Sequence, residues 1–479
     1  MTLLRFAWLL VPLAFLVQCV FDPQPPDGQQ LCGNGATSCP SGYVCLDDSE
    51  GVGRCYSSEG ESQPGETDTE VCDLEADLEL EPIPGPNTGT VTLTSDRIWL
   101  LNQLTYVNNG ATLTIEPCTR IVGSGKSAVL VVTRGGKINA VGEPDAPIVF
   151  TSDLTTRKAG DWGGLVILGR APNFLVDGAT IDETDPELAG EAIEGLSDED
   201  ARHYYGGTDP DDSSGTLQYV RIEYSGIDLG GGKEINGLTM GSVGSGTVID
   251  HVMVNSTLDD CFEWFGGNVN VSYLICNSGG DDMFDADQGY QGTLRYLLGR
   301  HTSPKSSDPN GFEMDSDKES DARPRTTVTI DHATLCGIQP ANTSFGMVLR
   351  ENLRGVMNDI VLSGFDYGID TRDSFGSLDD PHVRLTGTRI FEPFVSAFED
   401  EVDMPELEDN PNDDEGFDEQ TWFEDGTGND VYDAPTFDLN NCLDPSGPTR
   451  AVQGSRIGAF SEGAEWNITG KWTSWVTSD

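Results

Sequence analysis

Two short segments recur along this chain, out of phase with each other, and that double repeat limits the folds open to it. The first runs Leu217-Gln-Tyr-Val-Arg-Ile, Ile249-Asp-His-Val-Met-Val, Val271-Ser-Tyr-Leu-Ile-Cys, Leu294-Arg-Tyr-Leu-Leu-Gly, Ile330-Asp-His-Ala-Thr-Leu and Met357-Asn-Asp-Ile-Val-Leu, with starts 32, 22, 23, 36 and 27 residues apart. The second includes Gly164-Leu-Val-Ile-Leu, Gly237-Leu-Thr-Met, Cys261-Phe-Glu-Trp, Met283-Phe-Asp-Ala, Gly311-Phe-Glu-Met, Gly346-Met-Val-Leu and Gly368-Ile-Asp-Thr. Periods of 20–50 residues with variable insertions mark a solenoid, in which each unit stacks on the one before it. The pieces are four to six residues long and bounded by Gly and Asn, so they read as strands. A β-sandwich also uses short strands, but it would not produce two parallel series in fixed phase. The fold class is therefore all-β, a parallel β-helix with coils about 4.8 Å apart; roughly a dozen coils make a rod of about 55–60 Å. Like residues then stack on like, Phe262 over Phe284 over Phe312 with Leu238 and Met347 flanking, as core and not as a ligand platform.

The N-terminus carries an address. Arg5 precedes an apolar run from Phe6 to Val17, the length of a signal-peptide core and too short to span a bilayer. The run ends Leu16-Val17-Gln18-Cys19, which resembles a bacterial lipobox with Gln18 where a small residue is usual. Lipidation of Cys19 is the expectation; ordinary cleavage with Val17 and Cys19 as the small residues is the alternative. Residues 1–19 are thus a signal peptide and 20–31 a tether. Removing Cys19 from eleven cysteines leaves ten, an even set suited to an oxidising compartment. Cys32, Cys39, Cys45 and Cys55 make residues 32–56 a two-disulfide module with three connectivities open, and no CxxC pair or nearby His argues for zinc. Residues 57–71 read as a second linker, 72–398 as the β-helix, 399–441 as an acidic insertion and 442–479 as a C-terminal cap. Within the insertion, Glu399 to Glu419 holds 12 acids in 21 residues and reads as loosely ordered.

Residues 88–395 resemble a family of exported Gram-negative right-handed parallel β-helix proteins, often lipoproteins, of unsettled biochemical function. The motifs that carry the likeness are Ala111-Thr-Leu-Thr-Ile-Glu-Pro, Asp161-Trp-Gly-Gly-Leu-Val-Ile-Leu-Gly, Glu234-Ile-Asn-Gly-Leu-Thr-Met-Gly, Asp259-Asp-Cys-Phe-Glu-Trp-Phe-Gly-Gly and Gly280-Asp-Asp-Met-Phe-Asp-Ala-Asp-Gln-Gly. The ending Ile457-Gly-Ala-Phe, with Trp466, Trp472 and Trp475, is similar to the family's C-terminal segment. The resemblance implies export to the outer membrane or cell surface, with outer-membrane lipid as partner through Cys19. Cys118 and Cys261 stand where the family has Gly, and both are expected to be added disulfide sites.

Against 81 Asp and Glu there are 27 Lys and Arg, a net charge of −54. That excludes nucleic acid as a partner and a basic-patch hold on anionic lipid. Part of the charge has an address on the second strand series. Stacking in register puts Glu263, Asp285 and Glu313 in one outward row, with Asp287 and Asp315 two positions on. Like charges at that spacing raise one another's pKa unless a cation intervenes, and calcium is the hard cation that such oxygens select. Asp209-Pro-Asp-Asp and the acids up to Asp321 are expected to add oxygens. The competing reading is a solvated acidic face.

β-helices include polysaccharide lyases and hydrolases, and Asp259, Asp260, Asp281 and Asp282 are the candidates for a catalytic carboxylate pair or set. The same position in a coil also wants Asp or Asn to bond its own backbone, and this turn role is the expectation. Arg295, Arg300, Lys318 and Arg323 are the nearby cations for a lyase. Only five His occur, and His251 and His332 share the repeat position usually held by Tyr, where stacking is expected. No catalytic residue is assigned. The chain reads as a non-catalytic binding or structural module on the cell surface, with polysaccharide or another surface protein as partner; the alternative is a polysaccharide lyase or glycoside hydrolase. Tyr204-Tyr205 read as exposed, and the C-terminal Trp residues as a cap on the last coil.

Overall fold

The computed structural model describes residues 43–47, 53–57, 72–174, 191–228, 234–306, 309–316, 324–338, 343–373, 376–391, 393, 395–398 and 417–432, with 451–452, 455–456, 458–460, 466 and 471–473. The chain divides into two compact units, Met1–Val71 and Cys72–Asp479. In the first, Tyr43–Asp47 and Gly53–Ser57 form an antiparallel hairpin with Cys45 opposite Cys55 in register. The expected signal peptide, Cys19, the tether, Cys32 and Cys39 lie outside the described residues, as does most of the linker that follows the hairpin.

The second unit is a parallel β-helix with three faces. Ten strands stack on the first face, from Thr105–Val107 through Trp162–Leu168, Leu238–Gly241, Phe262–Phe265, Phe284–Asp287 and Phe312–Met314 to Ser396–Phe398. The other two faces share one sheet. In the middle coils a single long strand serves both, as in Gly215–Glu223, Val248–Asn255, Val271–Asn277, Thr293–Arg300, Thr327–Cys336 and Arg354–Ser363. The third face runs twelve strands long, about 53 Å at 4.8 Å per step.

Each long strand turns its corner at one residue in the left-handed region: Tyr219 (φ 51), His251 (φ 53), Tyr273 (φ 57), Tyr296 (φ 57), His332 (φ 67) and Asp359 (φ 55). Cα pairing skips these residues, so each is a one-residue kink between two faces. A left-handed non-glycine residue costs about 1–2 kcal/mol. The offset comes from stacking: successive rings lie 4.5, 4.4, 4.8 and 5.1 Å apart from Tyr219 to His332. The two histidines therefore stack as expected. Cys118 takes the same conformation (φ 63) between Ala111–Ile115 and Arg120–Gly123, which explains why glycine suits that corner, and it is bonded to Cys72. Cys261 is bonded to Cys276, tying the start of a first-face strand to the end of the next long strand.

Inside, Leu165, Leu238, Phe262, Phe284, Phe312, Met347 and Ile369 form one column, and all are fully buried. The Phe262–Phe284 and Phe284–Phe312 centroids are 5.5 and 5.8 Å apart. These rings are core.

Three expectations need correction. Tyr204-Tyr205 is not an exposed pair: Tyr205 is buried against Phe265, and Tyr204 is half-buried with its hydroxyl donating to the Asp198 carbonyl. The stretch from Glu399 to Glu419 is not loose to its end, because Phe417, Asp418 and Glu419 open a folded segment, 417–432. Asp418 caps the helix Glu419–Asp425 by accepting from the Thr421 amide, and Phe417, Trp422 and Phe423 join the core. Asp430–Tyr432 then adds a strand beside Arg389–Phe391. Charge density misled here, since three aromatics within seven residues outweigh the surrounding acids.

Trp466 and Trp472 do not cap the last coil, and Trp475 lies outside the described residues. Trp472 lies edge-on to Tyr219 and His251, at 5.8 and 5.2 Å, and Trp466 edge-on to Tyr273 at 5.2 Å. Phe460, Trp466 and Trp472 cover Met253, Ile275, Leu298 and Val361 on the outer side of the third face. Those strands were apolar on both sides in sequence (Val-Met-Val, Leu-Ile-Cys, Ile-Val-Leu), which is what a doubly covered strand requires. Gly458 permits the approach, because a Cβ there would sit 2.4 Å from the Thr334 hydroxyl oxygen. Replacing Trp472 by Ala is expected to cost about 3–5 kcal/mol in a urea melt. Hydrogen exchange should rise in 215–223 and 248–255; a rise confined to the last coil would restore the capping role.

Candidate functional site

The outward column of the first face changes character along the stack. Its register runs Val131, Val166, Thr239, Glu263, Asp285, Glu313, Val348 and Asp370. Over the early coils Val129, Val131, Val166, Leu168 and Phe265 are sealed by Ile193 and Tyr205 from the insertion that follows Trp162–Leu168. The next rungs are acidic. They are covered too, which overturns the idea of a solvated face: Asp260, Glu263, Asp282 and Asp315 are each under a tenth exposed, and Asp285, Asp287 and Glu313 are half-buried.

The turn before each strand carries a second acidic column. Asp260 Oδ1 accepts from the Asp282 amide at 2.8 Å, and Asp282 Oδ1 accepts from the Asn310 amide at 2.7 Å. Asn310 Oδ1 in turn accepts from the Phe345 amide at 3.2 Å. This is the expected turn role, repeated coil on coil, and it aims the remaining oxygens at the strand column. One oxygen from each of Asp260, Glu263 and Asp285 lies within 4.8 Å of the others, and Asp259, Asp260 and Asp281 form a similar triad. Asn236, 3% exposed, donates to Glu263 through its amide nitrogen. Its amide oxygen has no partner, and neither has Asp285 Oδ1. All of these donors are oxygens; Cys261 beside them is held in its disulfide. A hard cation is the ion that this donor set fits.

Two carboxylates one strand spacing apart repel by about 3 kcal/mol at an effective dielectric near 20. Burial, reinforced by that repulsion, pushes Asp260, Glu263, Asp282, Asp285 and Asp287 well above the ordinary carboxylate range. Burial and neighbouring Glu313 push Asp315 up to about 7 against the pull of Arg350. Glu313 is the exception. Burial opposes its charge, but Arg350, a hydrogen bond from Asp282, Arg372 and Asn310 together hold it below the usual value.

The residues singled out in the sequence therefore divide. Glu263 and Asp285 sit with Asp260 in the cation-type triad, whereas Glu313 and Asp315 are ion-paired with Arg350, its Nε lying 2.6 Å from Asp315. Asp287 accepts from the Gln288 amide. Asp209 and Asp212 bond the amides of Asp211 and Arg170 instead of joining the stack. The acids from 317 to 321, with Lys318 and Arg323, lie outside the described residues. Arg295 pairs with Asp331 and Arg300 donates to Asn277, both on other faces. Arg350 was missed because it follows its strand, Phe345–Leu349, and only the coil geometry folds it back over two earlier rungs. Asn236 was legible as the counterpart of Asp260 two residues before its strand.

The pectate-lyase-like β-helix domain family matches residues 85–429, and the chain belongs to that family. No curated protein matches the chain. Among solved structures it is similar to full-length tailspike protein 2 of Escherichia coli O157:H7 bacteriophage CAB120, at 12% identity and a TM-score of 0.22, over 77% of this chain and 42% of the tailspike. It is also similar to a family 28 exopolygalacturonase of Yersinia enterocolitica, at 10% identity and a TM-score of 0.18, over 72% of this chain and 71% of that enzyme. Likenesses this slight carry no inference about what this chain binds.

The raised carboxyls bind protons more tightly in the native than in the unfolded state. Their stabilising effect is complete below about pH 4 and is lost as pH rises through the folded values, about 7 for Asp315. In chelating buffer the melting temperature is expected to fall by several degrees between pH 5 and pH 7.5, and Asp315→Asn should flatten that fall. A melting temperature that holds or rises across this range would overturn the assignment.

Proposed function

We propose that this protein is a lipid-anchored β-helix of the bacterial cell surface that binds its partner without transforming it, and that a calcium-type cation sits among Asp260, Glu263 and Asp285. The supporting observation is the triad itself: two buried carboxylates and the half-buried Asp285 within 4.8 Å, beside an unpartnered amide oxygen of Asn236. A bound divalent ion would satisfy those oxygens and remove the repulsion between rungs. Its part would be to rigidify the coils behind a binding surface.

The non-catalytic reading draws on where the carboxylates point. A glycosidase flanks a sugar with two accessible carboxyls. Here Asp260 and Asp282 are spent on turn amides, and Glu313 and Asp315 on Arg350. A hydrolase or lyase remains the second reading because Asp282 and Glu313 share a hydrogen bond while their proton affinities are pushed in opposite directions, the pattern of an acid–base pair.

Among the described residues no helix is long and apolar enough to cross a membrane. Surface attachment in this proposal rests on the apolar run Phe6 to Val17 and on Cys19. Replacing Cys19 by Ser is expected to move the protein from the detergent phase to the aqueous phase after expression in a Gram-negative host; unchanged partition would remove the anchor.

Millimolar calcium should raise the melting temperature at pH 7.5, and Glu263→Gln with Asp285→Asn should abolish the rise. The same preparation, incubated with polyuronide oligosaccharides, is expected to release neither reducing ends nor unsaturated sugar. No calcium shift would sink the cation site, and calcium-dependent unsaturated product would make the protein a lyase.

A further inference from the structure

Acids outnumber bases threefold in this chain, yet three arginines meet in one cavity that, among the described residues, has no carboxylate in its lining. The cavity lies where three successive strands of the first face end. Thr105–Val107 is followed by Asn108 and Asn109, Gly125–Val132 by Thr133 and Arg134, and Trp162–Leu168 by Gly169 and Arg170. The insertion after the third strand supplies the opposite wall with Arg202 and Tyr204. The space is about 330 Å³, at the small end of ligand sites.

Each arginine is held differently. Arg202 pairs with Asp200 at 2.6 Å and lies 3.6 Å over the Tyr106 ring, which fixes its plane. Arg134 donates to the Gly206 carbonyl at 3.3 Å. Arg170 is the unbalanced one: among the described residues no carboxylate pairs with its guanidinium, and Asp212 binds only its backbone amide. Gly135 (φ 77) leaves room for this group. A Cβ there would lie 2.4 Å from Asn109 Oδ1 and 2.5 Å from Arg170 Nη2, so the amide and the guanidinium converge over the glycine.

We propose that this cavity binds one anionic sugar residue, its carboxylate or sulfate oxygens taken by Arg170 and its hydroxyls by the asparagines and Thr133. A planar guanidinium matches a planar or tetrahedral oxyanion with two parallel hydrogen bonds, and neutral amides and hydroxyls suit a polyhydroxylated ring. The charge of the whole chain refines the choice. At −54 it repels a long polyanion, so a terminal or isolated charged sugar is favoured over a continuous polyuronide or a nucleic acid. This gives the binding-module reading a ligand class, and it stands whether or not the acidic stack holds a cation.

Titration calorimetry of the full chain in chelator should detect glucuronic or galacturonic acid, or glucosamine 6-sulfate, and not glucose or galactose; the uronate and sulfate arms identify the oxyanion. Binding should weaken as salt rises. Arg170→Met should lower affinity roughly 10- to 100-fold while the calcium-induced melting shift persists. If that variant does not fold, Arg134→Gln carries the same expectation. Equal binding of neutral sugars, unchanged affinity in a folded arginine variant, or no binding of any anionic sugar at millimolar concentration would overturn the proposal. None of these results bears on the acidic triad, whose test is the calcium shift.

Discussion

In-register parallel pairing places every side chain about 4.8 Å from its counterpart in the next coil, so each column of the helix must be a column of tolerable neighbours. Apolar columns meet this easily, as the run from Leu165 to Ile369 does with three phenylalanines at its centre. Polar columns need complementarity between copies of the same group. The asparagines manage it by donating along the stack, Asn277 to Asn255 at 2.7 Å, with Arg300 donating to Asn277 at 2.6 Å. A column of carboxylates cannot, since each is acceptor only once ionised. The stack from Glu263 to Asp315 therefore takes in what restores balance: raised proton affinity on some members and Arg350 beside others.

The columns themselves were legible, because a period visible in one dimension becomes vertical alignment in three. The order Phe262, Phe284, Phe312 and the shared position of His251 and His332 needed only counting. Handling of the ladder was less legible. Alternation says that Glu263 points away from the core, but not that Asn236, Phe265 and the insertion would wall in that outer side. Arg350 acts 35 and 37 residues away from its partners Asp315 and Glu313, a distance set by coil length and not by any motif. The three aromatics of 417–423 were hidden by the acids around them, since composition averages over a window and packing does not.

The two charged features of this fold have opposite geometry. One set of acids lies where the chain covers it, in columns tied to backbone amides, and three arginines lie where strand ends leave a cavity open. Among the described residues the cavity is lined by arginine, amide and hydroxyl groups. The proposed binding role draws on this contrast between a covered acidic column and an open basic pocket.

The C-terminal segment closes a loop in the connectivity. The Trp472 amide bonds the Pro144 carbonyl, and its ring rests on Tyr219, so the last described residues clasp coils formed from the first half of the β-helix. An open solenoid frays from its ends, each coil answering only to its neighbours. This one has its tail laid back along its flank, which makes distant coils melt together and leaves any chain cut short during synthesis without its latch. Loss of this segment would thus loosen coils that lie far from it in sequence.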